Sequence, residues 1–280
     1  MTEASPSPRL LRKARHKQGL LRQNPMHKFA ADRALFHYAS NSVYTFIPKN
    51  GCTSMRLSLA IANGAIADSS DWQWVHSNNT TFTGDLAALA TARFTFVILR
   101  CPYRRLVSTF LDKMVSREPP FWSLCRMGKE DPDPAKMSFR SFVELLGKPG
   151  RLQHDPHWRP QENFLVYENY DRWYAFEHFN EACADISKQT GMQIHDARSL
   201  SGHSTSLRMS KNAEVVPGSF ADASLEELYD MRRNNVLPSH HALYDDTIRA
   251  QVAKLFAIDI DLYTEHFGAE DLLFAAPAST

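Results

Sequence analysis

Apolar positions along this chain fall into two short, dense runs, each followed by a segment with helical periodicity. Val43-Tyr44-Thr45-Phe46-Ile47 is a β-rich run that stops at Pro48, and Met55, Leu59 and Ala62, with Ile61 beside them, then repeat at helical spacing. That helix is expected to end at Asn63-Gly64, a suitable C-cap. Phe94-Thr95-Phe96-Val97-Ile98-Leu99 is almost continuously apolar, as a parallel strand buried on both faces should be. Behind it Pro102 suits a first helical turn, and Leu106, Val107, Phe110, Leu111 and Met114 carry the apolar face.

The remaining elements are weaker. Residues 65–83 are polar and irregular, and a short helix is expected over 84–91. Residues 117–137 read as a loop or insertion, and Ser138 caps a helix over 139–146 that Gly147 ends. Phe164–Tyr167 and Arg172–Phe176 are short strand candidates, followed by a helix from Glu177 to Thr190 closed by Gly191. Residues 195–217 are a Ser-, Gly- and Arg-rich loop, and helices are expected over 222–233, 245–256 and 259–267. The alternation predicts an α/β protein: a three-layer fold with a central parallel sheet flanked by helices and ligands at the carboxyl ends of the strands.

Composition narrows the function classes. With 32 basic and 31 acidic residues the net charge is +1, which argues against a general nucleic-acid binder. An anion site must therefore come from local placement of charge. Residues 1–40 read as a basic N-terminal extension, either a solvated arm or a peripheral contact for an anionic membrane surface or acidic polymer. Four cysteines (Cys52, Cys101, Cys125, Cys183) are widely spaced and suggest neither a zinc site nor a disulfide framework. Free thiols, no apolar run near the roughly 18 residues of a membrane span and no signal peptide lead to a cytoplasmic expectation.

Two stretches carry the chemistry. Pro48-Lys49-Asn50-Gly51-Cys52-Thr53-Ser54 joins a strand to a helix start, where unpaired N–H groups and the helix dipole favour an anion and Lys49 adds a full charge. Thr53 or Ser54 can cap that helix. The loop lacks the G-x-x-x-x-G-K-[ST] spacing of a Walker A motif, so it is not the nucleotide triphosphatase design. Arg100 follows the second strand, with Ser108 about two helical turns further on. A buried-adjacent arginine needs an anion or a carboxylate. Arg105 is expected in a structural salt bridge, and Arg104 and Lys113 in solvent.

Together, Pro48–Ser54 and Arg100-Cys101-Pro102-Tyr103-Arg104-Arg105-Leu106-Val107-Ser108 resemble the 5′-phosphosulfate loop and 3′-phosphate element of sulfotransferases that use 3′-phosphoadenosine 5′-phosphosulfate (PAPS). The similarity is greatest to the Golgi-type carbohydrate sulfotransferases and their bacterial cousins, which the loop Asp155-Pro156-His157-Trp158-Arg159-Pro160-Gln161 also resembles. It implies a P-loop-like fold over residues 41–270, with 271–280 as a tail. It also implies PAPS as co-substrate with no metal, and a carbohydrate or glycolipid hydroxyl as acceptor. By the same resemblance Lys49 stabilises the leaving oxygen, and Asn50, Gly51, Cys52, Thr53 and Ser54 cradle the 5′ side. Arg100 and Ser108 bind the 3′-phosphate, and the loop with Ser204 and Arg208 closes over the nucleotide. Cys101 replaces the usual aspartate, and neither the membrane anchor nor the disulfide cysteines of the Golgi members are present.

Transfer to an alcohol calls for a base. His76, in Trp74-Val75-His76-Ser77-Asn78, is the candidate, with His157 its competitor. Trp158 offers a surface for a sugar face, and Trp74 either lines the acceptor cleft or packs in the core. Rival readings are a P-loop kinase, which would need magnesium, and a catalytically silent nucleotide- or glycan-binding module.

Overall fold

Residues 9–14, 19–127, 136–197 and 214–274 are described by a computed structural model of the chain. In order, the elements are α1 (Pro25–Ala31), β1 (Ala34–His37), β2 (Ser42–Thr45), α2 (Cys52–Ala62), α3 (Trp74–Ser77), α4 (Leu86–Thr91), β3 (Phe94–Leu99), α5 (Pro102–Thr109), α6 (Pro119–Cys125), α7 (Phe139–Leu146), β4 (Arg172–Ala175), α8 (Phe179–Thr190), β5 (Glu214–Val216), α9 (Leu225–Arg233), β6 (Val236–Pro238), α10 (Asp246–Leu255) and α11 (Ala257–Phe267). The four-stranded central sheet runs β1-β2-β3-β4, with β2, β3 and β4 parallel and β1 antiparallel at the edge. This is a mixed α/β protein whose central, mostly parallel sheet is flanked by helices, consistent with the P-loop-like three-layer fold expected.

Contacts divide the chain into two compact units, Met1–Leu99 with Gln161–Ala197, and Arg100–Pro160 with Arg198–Thr280. The first holds the central sheet. Tyr44, Phe96, Ile98 and Tyr174 alternate onto one sheet face and meet Met55, Leu59, Phe179 and Ile186 from α2 and α8. β2 is buried at every position and β3 at all but its first, which explains why both read as continuous apolar runs. Gly191, at φ 71°, terminates α8 as a left-handed C-cap.

Part of the expected N-terminal arm belongs to this unit. Asn24 caps α1 by accepting from the amides of Met26 and His27, and its Nδ2 donates to the Lys13 carbonyl at 2.8 Å. β1 pairs along β2, from Ala34 opposite Thr45 to His37 opposite Ser42. Arg9 pairs with Asp171 at 2.7 Å, Arg12 with Glu162 at 3.1 Å, and Lys13 with the same Glu162. These three cations are compensated within the unit, so the described part of the arm is not a free basic tail.

In the second unit, α7 begins in a reciprocal capping box between Ser138 and Ser141, as its sequence predicts. α5 runs into a π-type turn over Phe110–Met114, and β5 and β6 form a small parallel pair. Three expectations are corrected. Residues 117–137 include the helix α6 rather than loop alone. Gln161–Phe164 is a 3-10 turn, and the strand expected over 164–167 reduces to one bridge from Leu11 to Tyr167. Residues 65–83 include the short helix α3. Among the described residues no helix is long and apolar enough to cross a membrane.

Candidate active site

The 48–54 loop is set by two left-handed residues, Lys49 at φ 74° and Gly51 at φ 75°. For lysine this conformation costs about 1 kcal/mol, and such strain persists only where neighbours enforce it. Asn50, between them, is fully buried and supplies the enforcement. Its Nδ2 donates to the Ile98 carbonyl at 2.9 Å and to Gln161 Oε1 at 2.6 Å, and its amide closes a turn on the Ile47 carbonyl at 3.3 Å. A Cβ at Gly51 would sit 2.5 Å from the Phe179 ring, so any side chain there would have to displace that ring as well as adopt a left-handed φ.

Gly51 is the N-cap of α2, and no side chain caps the helix. The expected cap by Thr53 or Ser54 is therefore corrected. The first intrahelical bond is the one from the Met55 amide to the Gly51 carbonyl, which leaves the N–H groups of Cys52, Thr53 and Ser54 as the helix's first-turn donors. Ser54 is 2 % exposed; its Oγ accepts from the Ala197 amide at 3.0 Å and donates to Asp196 at 3.4 Å. One turn on, Ser58 Oγ accepts from the His195 amide at 2.8 Å. The serine hydroxyls thus hold the 195–197 segment. What Ser54 can offer an anion is its main-chain N–H, while the half-buried Thr53 keeps a hydroxyl in the first turn. Asn50 likewise serves the loop through its side chain.

α3 is fastened to this helix by a residue the sequence did not single out. Arg56 is buried, and its guanidinium donates to the carbonyls of Cys52 at 3.3 Å and Val75 at 3.0 Å. His76 is exposed beside it, edge-on to the Trp72 ring with centroids 5.5 Å apart. Trp72 and Trp74 both pack against the core and both line an open pocket of about 630 Å³ with Ile66, Ser70, Asp71 and Gln73. Core packing, one of the two alternatives in the sequence, is thus observed for both rings.

In the second unit the 100–108 element opens α5 at Cys101, whose side chain makes no cap; Cys101 Sγ instead accepts from the Leu273 amide at 3.2 Å. Cys101 thus ties the start of α5 to the 272–274 segment. Arg105 is buried, and its guanidinium donates to the carbonyls of Arg159 at 2.9 Å and Pro156 at 3.2 Å, so it clamps the 155–159 loop. Arg104 does not face solvent as expected: it is half-buried, and its Nε is buried with no hydrogen-bond partner among the described residues. Lys113 pairs with Asp112 at 3.2 Å. Ser108 is buried on α5.

His157 and Trp158 divide. The Asp155 carboxylate accepts from His157 Nδ1 at 2.7 Å and from its amide at 2.9 Å, which puts the proton of a neutral ring on Nδ1 and the lone pair on Nε2. Burial pushes the Asp155 carboxyl up, but the hydrogen bonds and charge of His157 outweigh it, and the group lies below its ordinary 3.8. Trp158 is fully buried, edge-on to Phe142, with Nε1 donating to the Arg151 carbonyl at 3.0 Å. It is core, and the expectation of a sugar platform at Trp158 is corrected. Ser204 and Arg208 lie outside the described residues.

A family model described as the sulfotransferase family matches residues 33–264, most of the chain. No curated protein and no solved structure matches it.

Proposed function

The chain belongs to the sulfotransferase family, and from that premise we propose that it moves a sulfuryl group from PAPS to a hydroxyl of a carbohydrate or glycolipid. The observation that carries the donor assignment is the first turn of α2. It lacks a side-chain cap and stands behind a strained lysine and a left-handed glycine. Main-chain N–H groups aimed at one point, with the helix dipole and Lys49, suit a phosphosulfate. When bound, PAPS supplies an activated sulfuryl group on a phosphate leaving group.

Lys49 neutralises charge that gathers on the bridging oxygen as the sulfur–oxygen bond breaks, and the amides of Cys52, Thr53 and Ser54 hold the 5′-phosphate. Arg100 and Ser108 take the 3′-phosphate. His76 removes the acceptor hydroxyl proton as that oxygen bonds to sulfur. Its tether through Arg56 to the first turn of α2 supports this role, and Trp74 lines the acceptor pocket beside it. The carboxylate-oriented His157 is the second candidate for the base, favoured by its Asp155 hydrogen bond.

Calorimetric titration with 3′-phosphoadenosine 5′-phosphate (PAP), AMP and ATP without magnesium tests the donor class. PAP is expected to bind most tightly, and a preference for ATP would overturn the reading. With an acceptor found by labelled-PAPS screening, His76→Ala should abolish transfer while PAP affinity stays. If His157→Ala does so instead, the base is His157.

A further inference from the structure

The start of α5 is more strongly basic than its motif alone suggests. Arg100 precedes the helix, and Arg104 and Ser108 lie one turn apart along it. Against this start stands a turn that follows β6, Ser239-His240-His241, which no motif singled out. Several contacts hold it there. The Tyr244 hydroxyl donates to the Tyr103 carbonyl at 2.9 Å, and the rings of Tyr103, Tyr244 and Phe274 meet edge-on at 5.0–5.8 Å. The Leu273 amide ties the 272–274 segment to Cys101. His240 is half-buried in this arrangement.

The charged and titratable groups that act on His240 are Arg100, Arg104 and His241, all basic. The nearest acid along the chain, Asp245, is engaged with Arg140 at 2.7 Å and with the Ile248 amide. Arg104 Nε, buried and without a hydrogen-bond partner among the described residues, is a donor awaiting an acceptor. A cluster of basic groups that includes such a donor calls for an anion.

We propose that His240 is a further ligand of the anion held by Arg100 and Arg104, and that it takes up a proton from solvent as a phosphate group arrives. This rests on, and deepens, the reading of the 100–108 element as the 3′-phosphate site. Burial first, then the charges of Arg100, Arg104 and His241, push the His240 imidazole down to about 3, so at neutral pH it is uncharged. A phosphate cancels the repulsion from the arginines and attracts the imidazolium, which raises the group. The ligand that raises it binds more tightly as pH falls.

The test is calorimetric titration of the full chain and of His240→Gln with PAP and with AMP, at pH 6 and pH 8. Two buffers of different ionisation heat count the protons taken up, and the variant comparison cancels titration of the phosphates themselves. The variant should lose about tenfold in PAP affinity at pH 6, the size of one charge-assisted hydrogen bond. It should lose less at pH 8, take up fewer protons and keep its AMP affinity. Unchanged PAP affinity and proton count would overturn the role of His240 while leaving the 3′-phosphate reading intact, provided PAP still outbinds AMP. A wild-type protein that does not distinguish PAP from AMP would overturn both. Nuclear magnetic resonance of histidine-labelled wild-type protein gives a readout independent of the variant. The number of ring signals that titrate between pH 5 and 8 should rise by one with PAP, and no rise would contradict proton uptake.

Discussion

The loop over 48–54 and the element over 100–108 each follow a parallel strand, and they assemble positive potential from opposite materials. The loop uses main chain. Its first-turn amides and one lysine are what it offers an anion, and Asn50, Gly51 and Ser54 spend their side chains or lack of one on holding the backbone. The element over 100–108 offers side chains instead, Arg100 ahead of α5 and Arg104 and Arg105 on it, and Arg105 is already committed to the 155–159 loop. A backbone site is only as good as its dihedral angles, whereas a side-chain site tolerates changes between its ligands. Cys101, where the resembled motif has aspartate, is a position of that kind.

The largest effect that would sharpen this contrast is at Lys49, the one charge of the loop. Lys49→Ala should lower kcat by about a hundred- to a thousandfold through lost leaving-group stabilisation. Near-normal turnover with a screened acceptor would remove lysine from the chemistry. Next, Arg100→Ala should weaken PAP binding by about ten- to a hundredfold and AMP binding little. Equal losses would contradict a 3′-phosphate role.

Gly51→Ala tests the backbone side. The left-handed φ and the clash with Phe179 should together cost about 2–4 kcal/mol, read from urea midpoints. Asn50→Ala should cost about 1–3 kcal/mol by leaving buried partners unsatisfied, and lower PAPS turnover without removing any charge. If it destabilises the protein yet leaves turnover intact, the loop does not depend on its buried anchor.

The smallest effect is at Asp155. Its carboxyl is held below 3.8, so its contribution to stability is complete above that value and is lost as pH falls through the folded value. Asp155→Asn should therefore destabilise by less than about 1 kcal/mol at pH 7, with the difference from wild type shrinking as pH falls toward 3. A pH-independent difference would mean that the carboxylate charge contributes nothing.

Much of the fold was legible because burial on both sheet faces leaves an unbroken apolar run, and β2 and β3 advertise themselves in that way. β1 was hidden because Ala34–His37 is only four residues long and sits behind a basic stretch. Three cations of that stretch, Arg9, Arg12 and Lys13, are matched by Glu162 and Asp171, acids too distant in sequence for any local pattern to reveal. Trp158 misled because neighbouring Asp155, His157 and Arg159 are polar and loops have no period from which burial can be read. The positions of Lys49 and Arg100 after strands were readable. The engagement of Asn50 with Gln161, of Arg56 with Val75, and of Arg104 beside His240 were not, since each joins segments far apart in the chain.

The strain at Lys49 also sets how this protein should behave under laboratory selection. Asparagine and glycine adopt φ near 74° at lower cost than lysine does, so either would relax the loop. A library screened for heat tolerance alone should enrich such replacements early, each gaining up to about 1 kcal/mol. On the role proposed for Lys49 those winners would be poor catalysts, and stabilising this chain for use would then require that position 49 be held constant while the rest is varied.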